Sequence, residues 1–299
     1  MECPLCRSSE HVTLYYAYSR FDLFECDDCK LLFQRHAETT DVARIIEEVY
    51  DDRWVAMRDK YAHLTFQDHA LFNTLQLEMF RPGKGRLLEI GSGTGEFLFT
   101  AQSAGWDVTG VEASASSCKY AKQKYDLELH NALWSPELAE EWEPFDAVVF
   151  WHVLEHMARP VEFLCGVAGK LQDNGLLLFS VPNLQSFTNA IYGKQSPLLT
   201  EKDHLYHYSA RSLMKLLAQT PFQPVSLFTR QVPNHLEQLL GSSTAETAYS
   251  MADKMAILTQ LQGKAMGHEI CCIARKRPDS APPTSEAATE TERLSQKSS

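Results

Sequence analysis

The sequence predicts an α/β protein: a seven-stranded, doubly wound sheet preceded by a small cysteine ribbon. Three observations carry this. An apolar run at 87–90 leads into glycines at 91, 93 and 95, and Phe97, Leu98 and Ala101 then return at helical spacing. Strand-like runs follow at 106–111, 127–130, 145–150, 176–181, 222–230 and 268–275. Four cysteines in two Cys-x-x-Cys pairs stand near the start.

The 299 residues are 44% hydrophobic and 22% charged, enough apolar material for a sizeable core. A net charge of −11 disfavours a general nucleic-acid surface, which needs clustered Lys and Arg. No apolar run approaches the ~20 residues of a membrane-spanning helix. Met1-Glu2-Cys3 brings neither a basic nor a hydrophobic segment, so no signal peptide is expected and a cytoplasmic location is.

Residues 1–35 are expected to form a zinc ribbon on Cys3, Cys6, Cys26 and Cys29, with nineteen residues between the two pairs. A two-residue gap turns both sulfurs of a pair toward one ion, and two pairs complete a tetrahedron. Four sulfurs leave no open position, so the zinc is structural. In so short a segment the metal supplies the folding energy. Runs 12–16 and 22–25 read as its strands. Residues 36–80 read as helices. Asp41 caps one whose apolar face is Val42, Ile45, Ile46 and Val49. Tyr50, Trp54, Tyr61, His63 and Phe66 follow.

Residues 81–276 read as one α/β domain, entered through the turn at 81–85. Glycine permits positive φ and close backbone approach, and the helix start behind it aims free N–H groups over the turn. The second strand ends at Glu112, a carboxylate suited to the two hydroxyl donors of a ribose. Ser114 caps the next helix. The fourth strand ends at Trp151-His152, and ligands of open parallel sheets bind at carboxyl ends of strands. His152, Glu155 and His156 are therefore placed near the site. A helix opening at Arg159-Pro160 is expected to end at Gly175. Asp203-His204-Leu205-Tyr206-His207-Tyr208-Ser209 follows the fifth strand, and imidazole suits proton transfer at neutral pH. Residues 231–267 read as a helical insert. Residues 277–299, rich in Ser, Thr, Pro, Ala and Glu, are expected to be disordered.

Glu89-Ile90-Gly91-Ser92-Gly93-Thr94-Gly95 with Glu112, and Asp146 to His156 as a fourth-strand motif, strongly resemble the class I S-adenosylmethionine-dependent methyltransferases. The resemblance covers roughly residues 50–275 and implies a Rossmann-like sheet. It implies that S-adenosyl-L-methionine binds through Glu89, Gly91, Ser92, Gly93, Gly95, Glu112, Asn131 and Trp151. Asn131 stands where the family usually has an acidic residue for the adenine amino group. The helices before the turn, Tyr61 among them, would close over the methionine end.

Methyl transfer from a sulfonium is an in-line displacement, and an uncharged acceptor needs a base. His204, oriented by Asp203, is the candidate, with His152 as a further catalytic or contact residue. Tyr206 or Tyr208 is expected to line the acceptor pocket. The 203–209 stretch and the ribbon also resemble sugar C-methyltransferases, in which an acidic residue and a His occupy the places of Asp203 and His204. Those enzymes continue into a further domain, so the sugar is not carried over. The run 152–156 is similar to the Glu-x-x-Glu-His of certain RNA 2′-O- and quinone-pathway O-methyltransferases, with His152 replacing the first Glu. On that resemblance Glu155, His156 and a later histidine would hold a divalent metal. A third reading is an inactive methyltransferase-like scaffold, against which the intact glycine turn and Glu112 stand. The expected acceptor is a small molecule methylated on oxygen or carbon.

Overall fold

The computed structural model describes residues 1–61, 66–231 and 250–278. The Tyr61 side chain, His63, residues 232–249 of the expected insert and the tail from 279 lie outside the described residues.

The large sheet runs in the order β10 (Phe222–Arg230), β11 (Glu269–Lys276), β8 (Leu171–Pro182), β7 (Phe145–Trp151), β4 (Arg86–Ile90), β5 (Asp107–Glu112), β6 (His130–Asn131). From β8 to β6 the strands are parallel, while β11 is antiparallel to both β8 and β10. Strands alternate between two apolar layers, as the period of two requires. Leu87, Ala147, Val149, Leu176 and Leu178 face one layer with Phe97 and Ala101. Leu88, Val148, Phe150, Leu177 and Phe179 face the other with Leu164 and Leu213.

The lead-in helices are α1 (Val42–Val49), α2 (Asp52–Tyr61) and α3 (Gln67–Phe80). Within the sheet's crossovers come α4 (Glu96–Ser103), α5 (Ala115–Tyr125) and α6 (Pro160–Gly169), then α7 (Phe187–Tyr192), α8 (Pro197–Thr200), α9 (Ala210–Leu217) and α10 (Met251–Gly263). Strand order reverses between β4 and β7, and the cleft at their carboxyl ends is the natural ligand position.

Two expectations need correction. Only His130–Asn131 pairs as the third strand, because Leu127 and Leu129 turn inward to pack with Leu98 and Ala121. The helix begun at Pro160 stops at Gly169, and β8 starts at Leu171. Leu171 pairs with Phe145 but Leu176 with Ala147, so 172–175 bulges and Gly175 serves that bulge rather than a helix end.

The second sheet is β1 (Val12–Ala17), β2 (Asp22–Cys26), β3 (Leu31–Gln34) and β9 (Tyr206–His207), each antiparallel to the next. β3 and β9 were not visible as strands in the sequence, being four and two residues long. Through them the ribbon shares one apolar cluster with the domain: Cys3, Leu5, Leu31 and Phe33 pack with Leu205, Tyr206, Tyr208 and Leu216. The ribbon thus has a core, borrowed from the domain. Among the described residues no helix is long and apolar enough to cross a membrane.

Candidate active site

A cavity of about 710 Å³ opens at the carboxyl ends of the central strands. At one end lies the glycine turn. Gly91, Gly93 and Gly95 have φ of 70°, 53° and 88°, a region that glycine alone enters freely. A Cβ on Gly91 would lie 2.6 Å from Val153 Cγ2. The Gly91 and Ser92 N–H groups donate to the Val111 carbonyl at 2.8 and 3.1 Å, tying the turn to β5. The Glu112 carboxylate accepts from the N–H groups of Gly93 and Ser114, each at 2.7 Å. Burial raises its pKa against those two bonds, and each oxygen keeps a lone pair for a further donor.

Arg58 of α2 reaches over the turn. Its Nε donates to Thr94 Oγ1 at 2.7 Å, and its guanidinium lies 3.8 Å from the Phe66 ring centroid. Glu89 is buried beneath, and burial, aided by the nearby Glu96, raises its pKa well above the ordinary carboxylate value.

The other end is polar and assembled from distant segments. Tyr50, at the end of α1, donates to Asp203 Oδ2 at 3.0 Å, and its carbonyl accepts from Ser114 Oγ at 2.6 Å. His156 Nδ1 lies 2.8 Å from the Asp203 carbonyl oxygen. The His204 ring stands 4.9 Å from that of His156 and 5.9 Å from that of His207. His204 Nε2 pairs with Glu201 at 2.8 Å. Both oxygens of Glu155, His204 Nδ1 and His207 Nε2 are buried without a hydrogen-bond partner.

Charge organises this cluster. Burial would raise the Glu155 pKa, but His152, His156 and His204 hold it below the usual carboxylate value. Burial likewise opposes charge on His204, yet Glu201 raises its pKa overall. At His207 burial and the neighbouring His204 outweigh the charge of Glu155 and push the pKa down to about 3. His152 follows β7 at φ 53°, a strained conformation for a non-glycine residue. There its Nδ1 lies 3.4 Å from Glu155 and its Nε2 3.1 Å from Glu269. Arg230 continues the chain, with Nε donating to Glu269 at 2.7 Å and a terminal nitrogen donating to Asn73 Oδ1 at 2.8 Å.

Of the residues singled out in sequence, Glu89, Gly91, Ser92, Gly93, Glu112, Trp151, His152, Asp203 and His204 line this one cavity. Gly95 instead begins α4 beneath the turn, where its Cβ would lie 3.0 Å from Leu127 Cδ1. Asn131 is exposed, and its amide nitrogen donates to the carbonyls of Glu112 and Ala113 at 3.0 Å each. Tyr206 and Tyr208 do not line the acceptor end. Alternation along β9 turns both away from His207, into the seam between ribbon and domain, where Tyr206 donates to the Ala158 carbonyl at 2.8 Å. Arg58, Asn73, Arg230 and Glu269 went unmarked in the sequence, and Tyr50 was named only as an aromatic after the first helix. No motif surrounds them; only the charge of Arg230 and Glu269 inside strand-like runs gave a signal.

The four ribbon sulfurs form a separate centre. All lie within 4.8 Å of one another, with Cys3 and Cys29 Sγ 3.6 Å apart and Cys6 and Cys26 Sγ 3.5 Å apart. A tetrahedral zinc with ~2.3 Å bonds wants sulfurs about 3.8 Å apart, so the donor set fits that ion. A hydrogen bond from the Cys29 thiol holds the Cys3 thiol below its ordinary value, toward the thiolate that metals bind.

Sheet order, glycine turn and the carboxylate after the second strand define an α/β fold built to bind a nucleoside-bearing cofactor, that of the class I S-adenosylmethionine-dependent methyltransferases. The family described as "Methyltransferase domain" matches residues 61–227, more than half of the chain, and the chain belongs to that family. Among curated proteins, the ubiquinone biosynthesis O-methyltransferase of Maricaulis maris is 30% identical over 137 residues, 42% of this chain and 54% of the relative. That of Dinoroseobacter shibae is 32% identical over 155 residues, 48% of this chain and 62% of the relative. The chain therefore spans about half the length of the curated relatives it matches. Among solved structures, magnesium protoporphyrin IX methyltransferase from Synechocystis PCC 6803 aligns with a TM-score of 0.53 at 14% identity, over 78% of this chain and 99% of its own. A SAM dependent methyltransferase from Archaeoglobus fulgidus gives 0.51 at 19% identity, over 75% and 99%. These structural likenesses concern the fold.

Proposed function

We propose that the chain is an S-adenosylmethionine-dependent methyltransferase acting on a hydroxyl of a small molecule. The observation that carries this is a single cavity holding both the glycine turn with Glu112 and the histidine–carboxylate cluster around His204. The curated relatives are named for O-methylation, which favours oxygen over carbon.

S-adenosylmethionine, when bound, supplies an electrophilic methyl group. Gly91 and Gly93 let the backbone approach it, and Glu112 accepts from ribose hydroxyls. Trp151 and Ser92 wall the same pocket, and the buried Glu89 carboxyl lines it from beneath. Helices α1, α2 and α3 cap the site, with Tyr50 bridging its two ends. His204 removes the acceptor proton at Nδ1, the nitrogen left without a partner, while Glu201 holds Nε2. Asp203 keeps the loop in place through Tyr50, and Glu155 stabilises the imidazolium that forms. Cys3, Cys6, Cys26 and Cys29 hold a structural zinc. Calorimetric titration with S-adenosylmethionine tests the first step. Absence of both heat and thermal shift would overturn the enzyme reading in favour of a scaffold.

One observation favours a second reading of the acceptor end. Ligand atoms of Glu155, His156 and His204 lie within 4.8 Å of one another, and several have no hydrogen-bond partner. These residues would hold a divalent ion, which would acidify the acceptor hydroxyl as a Lewis acid. A chelator that spares the ribbon zinc abolishes turnover on this reading and leaves it whole if His204 acts as the base.

A further inference from the structure

We propose that Gln34 is a positioning residue for His204, and that the cysteine ribbon braces the acceptor end of the site through it. The inference rests on the reading of His204 as the base.

The segment 201–205 has neither helix nor strand of its own, so its backbone conformation is set by the groups that satisfy its polar atoms. Gln34 satisfies three of the segment's carbonyls. Its side-chain amide donates to the carbonyls of Lys202 at 2.9 Å and His204 at 3.0 Å. Its backbone N–H donates to the Leu205 carbonyl at 2.9 Å. Beyond it the ladder continues with Leu32 opposite His207 and Phe33 opposite Tyr206, and Ser209 Oγ donates to the Lys30 carbonyl at 3.0 Å. From the other side the Leu205 N–H donates to the Glu155 carbonyl at 2.9 Å. The His204 strap is thus pinned between the ribbon and the loop that carries Glu155 and His156.

The chemistry selects glutamine. One amide nitrogen with two hydrogens meets two carbonyl oxygens, whereas a glutamate of the same shape brings only acceptors. Gln34 closes the strand that starts two residues after Cys29, and the Lys30 N–H is bonded to the Cys26 carbonyl at 2.8 Å within the knuckle. The four-sulfur centre and the His204 strap are therefore joined by four residues of strand.

The test uses the full chain. Hydrogen–deuterium exchange is read on peptides covering 203–208, zinc by elemental analysis, S-adenosylmethionine affinity by calorimetry, and turnover with 3,4-dihydroxybenzoate as hydroxyl acceptor. Gln34→Ala should speed exchange in 203–208 roughly tenfold, as loss of two hydrogen bonds allows. Turnover should fall at least as much in kcat, with unchanged zinc content and unchanged KM for S-adenosylmethionine. Gln34→Glu should do more than Gln34→Ala. His11→Ala, on the exposed ribbon surface, should change none of these. Unchanged exchange in both Gln34 variants overturns the proposal. So does faster exchange with full kcat, if His204→Ala abolishes turnover. If His204→Ala also keeps full turnover, the base reading fails, while faster exchange still upholds the brace.

Discussion

At the cofactor end of the cavity, Glu89, the 91–95 turn, Glu112 and Ser114 come from one β–α–β unit and bond to one another. At the acceptor end, Tyr50, Glu155, His156, Asp203, His204, Arg230 and Glu269 come from segments spread across the chain. The first end is a product of local geometry: positive φ at three glycines and a strand terminus beside them. The second is a product of topology, assembled only when the segments after α1, β7 and β8 meet β10 and β11. A cofactor common to many proteins needs a reproducible cradle, and a local unit supplies one. An acceptor particular to one enzyme is met by residues that can change one segment at a time.

The same difference explains what the sequence revealed. The strands of the large sheet were legible because buried parallel strands read as short apolar runs. The glycines were legible because their spacing is fixed by one turn, and Glu112 because it closes the strand that follows. His204 and Asp203 were legible as chemistry-bearing residues, but Glu201, which holds His204, was not. Tyr206 and Tyr208 were assigned to the wrong side because β9, at two residues, is too short to show its alternation before its pairing with β3 is known. Gln34 carries no motif at all, and its role exists only across the contact between ribbon and domain.

The sharpest way to break the contrast is at the acceptor end. His204→Ala should lower turnover by ~100- to 10,000-fold, the usual cost of losing a positioned base, and leave S-adenosylmethionine affinity nearly unchanged. Equal losses in rate and cofactor affinity, from single-turnover kinetics and calorimetry, would mean the two ends are not separable.

The next test concerns the ribbon. Cys26→Ser removes one sulfur from a closed four-sulfur site, where structural zinc in isolated finger peptides contributes about 10–16 kcal/mol. If residues 1–35 were independent, only they would melt. Because Leu5, Leu31 and Phe33 share a cluster with Leu205 and Leu216, the melting temperature of the whole chain should fall. Exchange should also rise in 203–208. An unaltered domain melt beside a disordered ribbon would restore the two-unit view.

At the cofactor end the expected effect is smaller. Glu112→Ala removes the proposed two-point contact with the ribose and frees the Gly93 and Ser114 N–H groups. Hydrogen bonds to a charged group contribute about 1.5–3 kcal/mol, so S-adenosylmethionine should bind roughly tenfold or more weakly. Unchanged affinity by calorimetry would remove Glu112 from the site.

The finest test separates the two ends by pH. Glu201 stabilises the imidazolium of His204 and, against the opposing effect of burial, raises its pKa above the ordinary histidine value. A general base works only when deprotonated. The acid limb of the kcat profile should therefore lie above the ~6.5 of an unperturbed histidine. Glu201→Gln keeps an acceptor for Nε2–H but removes the negative charge. The imidazolium loses its stabilisation, the pKa falls, and the acid limb moves to lower pH. At high pH the rate should drop modestly, because a less basic imidazole is a weaker proton acceptor. Glu201 is 48% exposed, so part of its influence is screened, and the shift between parent and variant should shrink as salt rises. Glu112→Gln, at the far end of the cavity, should leave the limb where it was. An acid limb that ignores Glu201→Gln, together with turnover abolished by a chelator, would assign the cluster to a divalent ion instead. The cofactor end would then stand as proposed, and only the chemistry of the assembled end would change.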